Sequence, residues 1–434
     1  MANIIKINNN RIRKQGNNVF GNSSTLSFIV RPLATTFPHL GGVGSATPYF
    51  ILDFNSPQTI TVRFGDGQVI TYNTFLSSTG YHRFRFGSSN NAGETGTVAQ
   101  RAFTNSNVRR DVFVIFNKEA LVRIDLYGMN YISYQTLIFP FKEYPNLQAI
   151  NLQAINFGIG STRAITGLDF RNIENSKIES IALRSIFQSG SEYESKIDER
   201  IFVLPLKELI VGGVFQNYGT SNANLIGNLA NTLEVLNFSV PITQSSGLPS
   251  SFSLLTKLKS FALNSVGSSD LITFPNVVNN WTLLESFSFF NNIGMQVTSF
   301  AFDLNNHPNL TTLNLGGNIG YMTNFTFISQ LRDKIKTLTF TGIDDSGKLT
   351  TVINAIYTLV TTNASMASGN TKYRNMVIAL ESITGFTAAA IPTGTYQAPS
   401  GYNKGVSNGS PASDRERLFA LVDNYGHTIT YRGS

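Results

Sequence analysis

The chain has 434 residues, of which 41% are hydrophobic and 14% are charged, a balance typical of a folded protein with a lightly charged surface. It contains no cysteine, which excludes disulfide bonds, thiolate zinc sites and cysteine nucleophiles. No apolar run approaches the roughly 18 residues of a membrane span, so we expect no membrane insertion.

The formal net charge of +7 is unevenly distributed, because no Asp or Glu precedes Asp53 whereas the first residues are basic. Lys6, Arg11, Arg13 and Lys14 lie in a segment that is rich in asparagine and glycine and lacks the apolar core of a secretory signal peptide. The pattern predicts an extended basic arm over residues 1–45. Three interpretations are open for it: docking on an assembly partner, disorder, or nucleic-acid binding. Nucleic acid is not expected, since the aromatic residues that stack on single strands are missing.

Residues 46–118 show short alternating segments separated by turn residues, which predicts a small antiparallel β domain. The strands are expected at residues 49–52, 60–64, 69–72, 81–86 and 112–116. The turn Phe64-Gly65-Asp66-Gly67 resembles that of the polycystic-kidney-disease-type β-sandwich, an immunoglobulin-like module. We interpret this region as a spacer or N-terminal cap, with an ordinary hairpin in another small β fold as the alternative.

A repeated pattern, L-x-x-L-x-L with Ile or Phe sometimes replacing Leu, dominates residues 121–340. Successive copies start 25 to 31 residues apart, at Leu121, Leu147, Ile178, Leu206, Leu233, Leu258, Leu284, Leu310 and Ile335. Each copy ends in two apolar residues around one residue that is usually small or polar, the period-two signature of a strand with one buried face. Since a unit of this size cannot bury its apolar face alone, the units must stack. The sequence therefore predicts a solenoid over residues 119–390 with one parallel strand per repeat.

The copy Leu310-Thr311-Thr312-Leu313-Asn314-Leu315-Gly316-Gly317-Asn318 reads L-x-x-L-x-L-x-x-N, and Asn292 ends the preceding copy in the same way. This pattern resembles the leucine-rich repeat family. The resemblance implies an α/β solenoid, strand-dominated, whose parallel sheet lines a curved surface. Most other copies lack the asparagine, so the repeats are degenerate.

After Ile335 the spacing breaks, and a last, enlarged repeat is expected to close the solenoid. Apolar residues at helical intervals predict an amphipathic helix over residues 348–360, and residues 376–380 read as an apolar strand. Residues 391–434 are predicted to form a linker followed by a helix and a strand. Ser413 and Glu416 fit the capping box that would open this helix.

The C-terminal stretch carries a second resemblance. Residues 391–399, Ser413 and residues 424–428 are similar to C-terminal segments of virion or tail proteins of phages that infect Bacteroidetes-type bacteria. The resemblance implies a location in a virus particle.

Catalytic and metal-binding motifs are poorly supported. The four histidines, His39, His82, His307 and His427, fall in different segments, and no pair has metal-ligand spacing. Residues 405–409 fit G-x-S-x-G, and Asp423 and His427 follow, but the serine lies in a glycine-rich loop rather than between a strand and a helix. We therefore expect no enzymatic activity, no cofactor and no bound metal.

The repeat register predicts which side chains line the concave face of the solenoid, because residues between buried strand positions point away from the core. The candidate binding face is mostly polar and nearly uncharged and consists of Ser180, Glu208, Asn237, Ser260, Ser286, Ser288, Thr312, Asn314, Thr337 and Thr339. Hydroxyl and amide groups can donate and accept hydrogen bonds, which suits a glycan or a protein partner. The alternative is that exposed parallel strands favour these residues without any ligand.

These observations favour a noncatalytic phage virion protein, tail-associated or otherwise surface-exposed. Lys6, Arg11, Arg13 and Lys14 would dock it on other virion proteins, while the solenoid would contact protein or host surface. A homo-oligomer within such an assembly is compatible with this role. The alternative is a bacterial cell-surface leucine-rich-repeat adhesin.

Overall fold

The structure is a computed structural model that divides into two compact units, Met1–Asn217 and Tyr218–Ser434. It describes residues 4–7, 10–13, 23–30, 49–63, 67–86, 98–99, 110–127, 144–153, 176–186, 199–213, 225–239, 248, 250–264, 276–290, 303–315, 322–343, 346–363, 376–381, 396–403 and 409–432.

The first unit contains fourteen strands in its described residues. They are β1 Ile4–Ile7, β2 Asn10–Arg13, β3 Ser23–Val30, β4 Tyr49–Phe54, β5 Thr59–Arg63, β6 Val69–Asn73, β7 Phe75–Leu76, β8 His82–Phe86, β9 Val98–Ala99, β10 Arg110–Asn117, β11 Leu121–Tyr127, β12 Ala149–Gln153, β13 Ser180–Ile186 and β14 Glu208–Gly213. The five strands predicted between residues 49 and 116 are all present, each within two residues of the expected bounds at either end.

Antiparallel pairing dominates the beginning of this unit. Strands β1 and β2 form a hairpin, and a four-stranded sheet has the order β3-β10-β5-β6. Strand β3 lies within the predicted arm and pairs with β10 along its whole length. The turn at Phe64, Gly65 and Asp66 lies outside the described residues, while Gly67 has a φ of 91°, a conformation that favours glycine.

The repeat strands begin at β11. Strands β11, β12, β13 and β14 pair in parallel, and β4 pairs antiparallel with β11, followed by β8. Hydrogen bonds therefore cross the predicted boundary at residue 118. Aromatic rings from the four-stranded sheet pack on the core side of β4 and β8: the ring centroids of Phe54 and Phe116 are 5.6 Å apart, and those of Tyr72 and Phe84 are 5.9 Å apart.

The second unit repeats one motif. Its parallel strands are β15 Val235–Ser239, β16 Ser260–Asn264, β17 Ser286–Phe290, β18 Thr312–Leu315, β19 Thr337–Thr341, β20 Val377–Glu381 and β21 Thr428–Arg432. Short 3-10 helices precede five of them, at Ile226–Leu229, Ser250–Leu254, Asn276–Asn280, Leu304–Asn306 and Thr326–Gln330. The predicted fold class is confirmed. It is an α/β leucine-rich-repeat-like solenoid with a strand-dominated parallel sheet, preceded in the chain by a small antiparallel sheet.

The chain enters β16, β17 and β18 through the same backbone turn. The N–H groups of Leu258, Leu284 and Leu310 donate to the carbonyl three residues earlier, at 3.1, 3.0 and 3.1 Å. The next two N–H groups share one carbonyl of the previous repeat: Lys259 and Ser260 both donate to Glu234, at 2.8 and 3.0 Å. Because this double contact recurs at β17, β18 and β19, these neighbouring strands start in the same register.

The C-terminal cap contains two helices, α1 Ser346–Asn363 and α2 Asp414–Asp423. Both predicted helices, the strands β20 and β21 and the capping box of Ser413 and Glu416 are confirmed. The Thr350 hydroxyl donates to the Asp414 carboxylate at 2.6 Å and so links the helices. Asn292 and Asn318, the asparagines of the repeat motif, lie outside the described residues.

Among the described residues, no helix is both long and apolar enough to cross a membrane.

Candidate binding face

Two columns of side chains run across the parallel strands of the second unit, because the strands pair in strict register. In the first column Val235, Ser260, Ser286, Thr312, Thr337, Val377 and Thr428 are successive partners; in the second, Asn237, Ala262, Ser288, Asn314, Thr339, Ala379 and Thr430. The structure therefore brings together eight of the ten residues of the candidate face.

The columns lie on the side of the strands opposite the apolar core. Phe261, Phe287 and Leu313, which alternate with them, are 0% to 1% exposed. By contrast, all ten column residues of β15 to β19 are half-buried. We call Asn237, Ser260, Ser286, Ser288, Thr312, Asn314, Thr337 and Thr339 the neutral face, since they carry hydroxyl and amide groups and no ionisable group. The buried Oδ1 atom of Asn314 accepts no hydrogen bond from the described residues.

In the first unit the corresponding columns have a different character. Ser180 donates from its hydroxyl to Oε2 of Glu208 at 2.5 Å, so the one carboxylate of the predicted face is held by its neighbour. In the other column of this unit, Ala182 and Ile210 are 5% and 7% exposed and present little polar surface. The run of hydroxyl and amide groups is a feature of the second unit.

A buried ionic cluster occupies the same side of the sheet near the start of the repeats. Cross-strand register places Arg83 opposite Asp53 and Asp53 opposite Arg123. Arg83 Nε and Nη2 donate to the two carboxylate oxygens of Asp53 at 2.7 and 2.9 Å, and Arg123 Nε donates to Asp125 Oδ1 at 2.8 Å. Burial raises the pKa of Asp125, and the hydrogen bond from Arg123 partly offsets this effect. This cluster was not predicted, because its only signal in the sequence is charge at alternating strand positions.

Charged pairs lie at the strand entries in each unit. Lys259 Nζ lies 2.7 Å from Glu234 Oε2, and in the first unit Lys207 Nζ lies 2.9 Å from Glu179 Oε2. The hydrogen bond to Glu234 raises the pKa of Lys259. These partners are adjacent in the strand stack, so the pairs join neighbouring repeats outside the columns.

Two buried histidines make hydrogen bonds to the main chain of neighbouring elements. The ring Nδ1 of His307 lies 3.0 Å from the Trp281 carbonyl, and Trp281 Nε1 donates to the Phe252 carbonyl at 2.8 Å, so three repeats are linked. His427 accepts the Met376 N–H at Nδ1 over 3.1 Å. Ser407 lies outside the described residues. No group of three potential metal-ligating side chains occurs in the described part of the chain.

The basic residues of the arm are only partly placed. The backbone register of the hairpin sets Lys6 opposite Arg11 and Ile4 opposite Arg13. Lys14 lies outside the described residues. Docking through these residues stays a prediction.

The chain forms a leucine-rich-repeat-like solenoid, a class defined here by its repeats and parallel strands. No family model matches the sequence, and no curated protein is similar to it. Among solved structures, an internalin (inlF) from Listeria monocytogenes is similar, with 16% sequence identity, a TM-score of 0.35 and coverage of 62% of this chain and 83% of that chain.

Proposed function

We propose that this protein is a noncatalytic interaction protein that binds its partner through the neutral face. The observation that carries the proposal is the register of that face: five adjacent strands present half-buried side chains in two columns, which carry a hydroxyl or amide group at every position except Val235 and Ala262. Regular spacing of such groups offers repeated hydrogen-bonding positions to an extended ligand.

The chemistry of the face limits the partner. It has no charge with which to attract phosphate, sulfate or nucleic acid, and burying an ionic group against it would be costly. A protein surface or an uncharged glycan, each rich in hydrogen-bond donors and acceptors, fits better.

Substitution on β17 tests this role. The double variant S286E/S288E places two carboxylates in the middle of the neutral face, and T282E places one on an exposed turn of the same repeat. We expect the double variant to lose binding of the labelled full chain to phage particles or host cells by at least about tenfold, because a bound partner would bury carboxylates that lack ionic partners. T282E should bind within about twofold of the unchanged protein. Equal binding by all three proteins, with equal thermal stability, would remove the neutral face from the function.

For the location of the protein, we propose that it is a surface-exposed or tail-associated component of a virion. The basic arm would dock it onto other virion proteins. The C-terminal resemblance to phage virion proteins supports it. A bacterial cell-surface adhesin is the second candidate, because an uncharged binding face suits an exposed position on a cell equally well.

Particle incorporation separates these candidates. Because β3 pairs with β10, deletion of the whole arm would damage a sheet, so the informative truncation removes residues 1–20 only. Immunogold microscopy of the producing culture should show the full chain on particles and the truncated chain absent from them. Label on cell envelopes would favour the adhesin, and normal incorporation of the truncated chain would contradict docking through the arm.

A further inference from the structure

Strand β21 is the last strand of the parallel stack in the second unit. It pairs in parallel with β20, with Val377 opposite Thr428 and Leu380 opposite Tyr431. Within the described residues β20 is its only strand partner. As far as the described residues go, one edge of β21 is therefore open to a further strand.

The backbone groups at this edge follow from one hydrogen bond. Thr428 N–H donates to the Met376 carbonyl at 2.9 Å, so Thr428 directs its backbone groups toward β20. In a parallel pair every second residue does the same, which assigns Thr430 and Arg432 to β20 and leaves Ile429 and Tyr431 facing outward. The His427 N–H is already used, since it donates to the Leu421 carbonyl at 3.2 Å.

The apolar layer of the unit is also incomplete at this edge. The core-side residues Leu338 and Ile378 of the two preceding strands are 0% and 1% exposed, whereas Ile429 in the same row is half-buried. A further strand beside β21 would cover it.

Edge strands of soluble proteins are usually blunted by proline, lysine or a bulge, which prevents pairing with another chain. Residues 428–431 read Thr-Ile-Thr-Tyr, with strong β propensity and no charge, proline or glycine. Apart from Arg432 at its end, this strand lacks the features that would prevent pairing.

We propose that the open edge of β21 binds β21 of a second copy, antiparallel, around a two-fold axis at Thr430. In this register Ile429 lies opposite Tyr431 of the other copy as a hydrogen-bonded pair, and Thr430 lies opposite Thr430 as a non-hydrogen-bonded pair. All outward N–H and C=O groups of residues 429 and 431 are then used in both copies.

Charge favours the antiparallel arrangement. Each copy carries a net charge of +7, so two copies repel, yet the paired segment is neutral up to Arg432. Antiparallel pairing places Arg432 opposite Thr428 of the other copy, whereas parallel pairing in register would place the two arginines side by side. The isologous contact also closes on itself, which yields a dimer rather than a fibre.

Disulfide trapping of the full chain tests this geometry directly, because the natural protein has no cysteine. Opposite residues in a non-hydrogen-bonded pair have Cα atoms about 4.5 Å apart, within the range that a disulfide spans. Under mild oxidation T430C should form covalent dimers at least about tenfold faster than the matched control T428C, whose position faces Arg432 of the other copy. Thr428 and Thr430 are both exposed, so accessibility is matched.

A charge exchange at the same position adds an independent readout. T430K and T430E should each dissociate, with the dimer dissociation constant raised about tenfold, because like charges meet at the axis. Mixed together they should dimerise again, as measured by sedimentation velocity. Equal cross-linking of T430C and T428C, or a natural chain that stays monomeric at about 100 µM, would overturn the proposal. Either result would mean that something else covers the edge, or that it stays open.

Discussion

At the scale of single residues, the buried His307 makes the second unit sensitive to acid. Burial lowers the pKa of His307, an effect that the hydrogen bond to Trp281 and the charge of Asp303 partly offset. Since the pKa is lower in the folded than in the unfolded chain, the unfolded chain binds more protons between the two values. The contribution of His307 is thus complete above about pH 6.5 and decreases as the pH falls through that window.

We predict that H307N flattens this pH dependence. An asparagine amide keeps a donor for the Trp281 carbonyl and does not titrate. Between about pH 7.5 and about pH 5, urea denaturation should show a smaller loss of unfolding free energy for H307N than for the natural protein. Identical pH slopes for the two proteins would show that His307 does not control the transition.

At the scale of elements, the bidentate pair of Asp53 and Arg83 fixes how β4 and β8 align. Their side chains are 1% and 8% exposed, so the ionic contact is shielded from water. Removing one partner of a buried pair leaves the other charge without compensation, which costs about 3 kcal/mol. We predict that D53A lowers the unfolding free energy of the first unit by about this amount.

The exposed pair of Lys207 and Glu179 in the same unit supplies the control. Its side chains are 57% and 44% exposed, and solvent-exposed pairs contribute at most about 1 kcal/mol. K207A should therefore have little effect in the same denaturation experiment. If D53A were as mild as K207A, the buried pair would have no role in the alignment of β4 and β8.

The repeat strands show what sequence patterns can predict. Leu313-Asn314-Leu315 and its equivalents were assigned to strands correctly, because period-two alternation within a constant repeat length specifies both strand and register. The short 3-10 helices, such as Leu304–Asn306, give no comparable signal, since three to five residues contain too little helical periodicity. Pairing of β4 with β11 was also not predicted, because tertiary contacts rather than local pattern decide which strands of different segments meet.

At the candidate site, the columns of the second unit follow from the sequence because parallel strands in register align equivalent repeat positions. In the first unit the structure differs from what the repeat pattern predicts. Ala182 and Ile210 are buried where the repeat pattern alone suggests an open face, and Asp53 and Asp125 are buried although charged strand residues ordinarily indicate solvent. Burial depends on what covers a face, which repeat spacing does not encode.

At the scale of the whole molecule, a basic surface and an uncharged surface are proposed to bind different partners, and the salt dependence of binding should distinguish the two contacts. The arm carries Lys6, Arg11, Arg13 and Lys14 with no acidic residue before Asp53, whereas the neutral face carries no charge. Attraction between exposed charges weakens as the Debye length shortens, but hydrogen bonds between uncharged groups are nearly unaffected. From about 50 mM to about 500 mM salt, binding through the arm should therefore weaken strongly and binding through the neutral face should hardly change.

Purified phage particles and host cells allow the two contributions to be measured apart. The full chain, the 1–20 truncation and S286E/S288E would each be titrated at both salt concentrations. We expect the salt-sensitive component to vanish in the truncated chain and the salt-insensitive component to vanish in the double variant. If binding by the truncated chain kept the salt dependence of the full chain, the basic arm would not supply the electrostatic contact, and another charged surface, such as the strand-entry pairs, would have to do so.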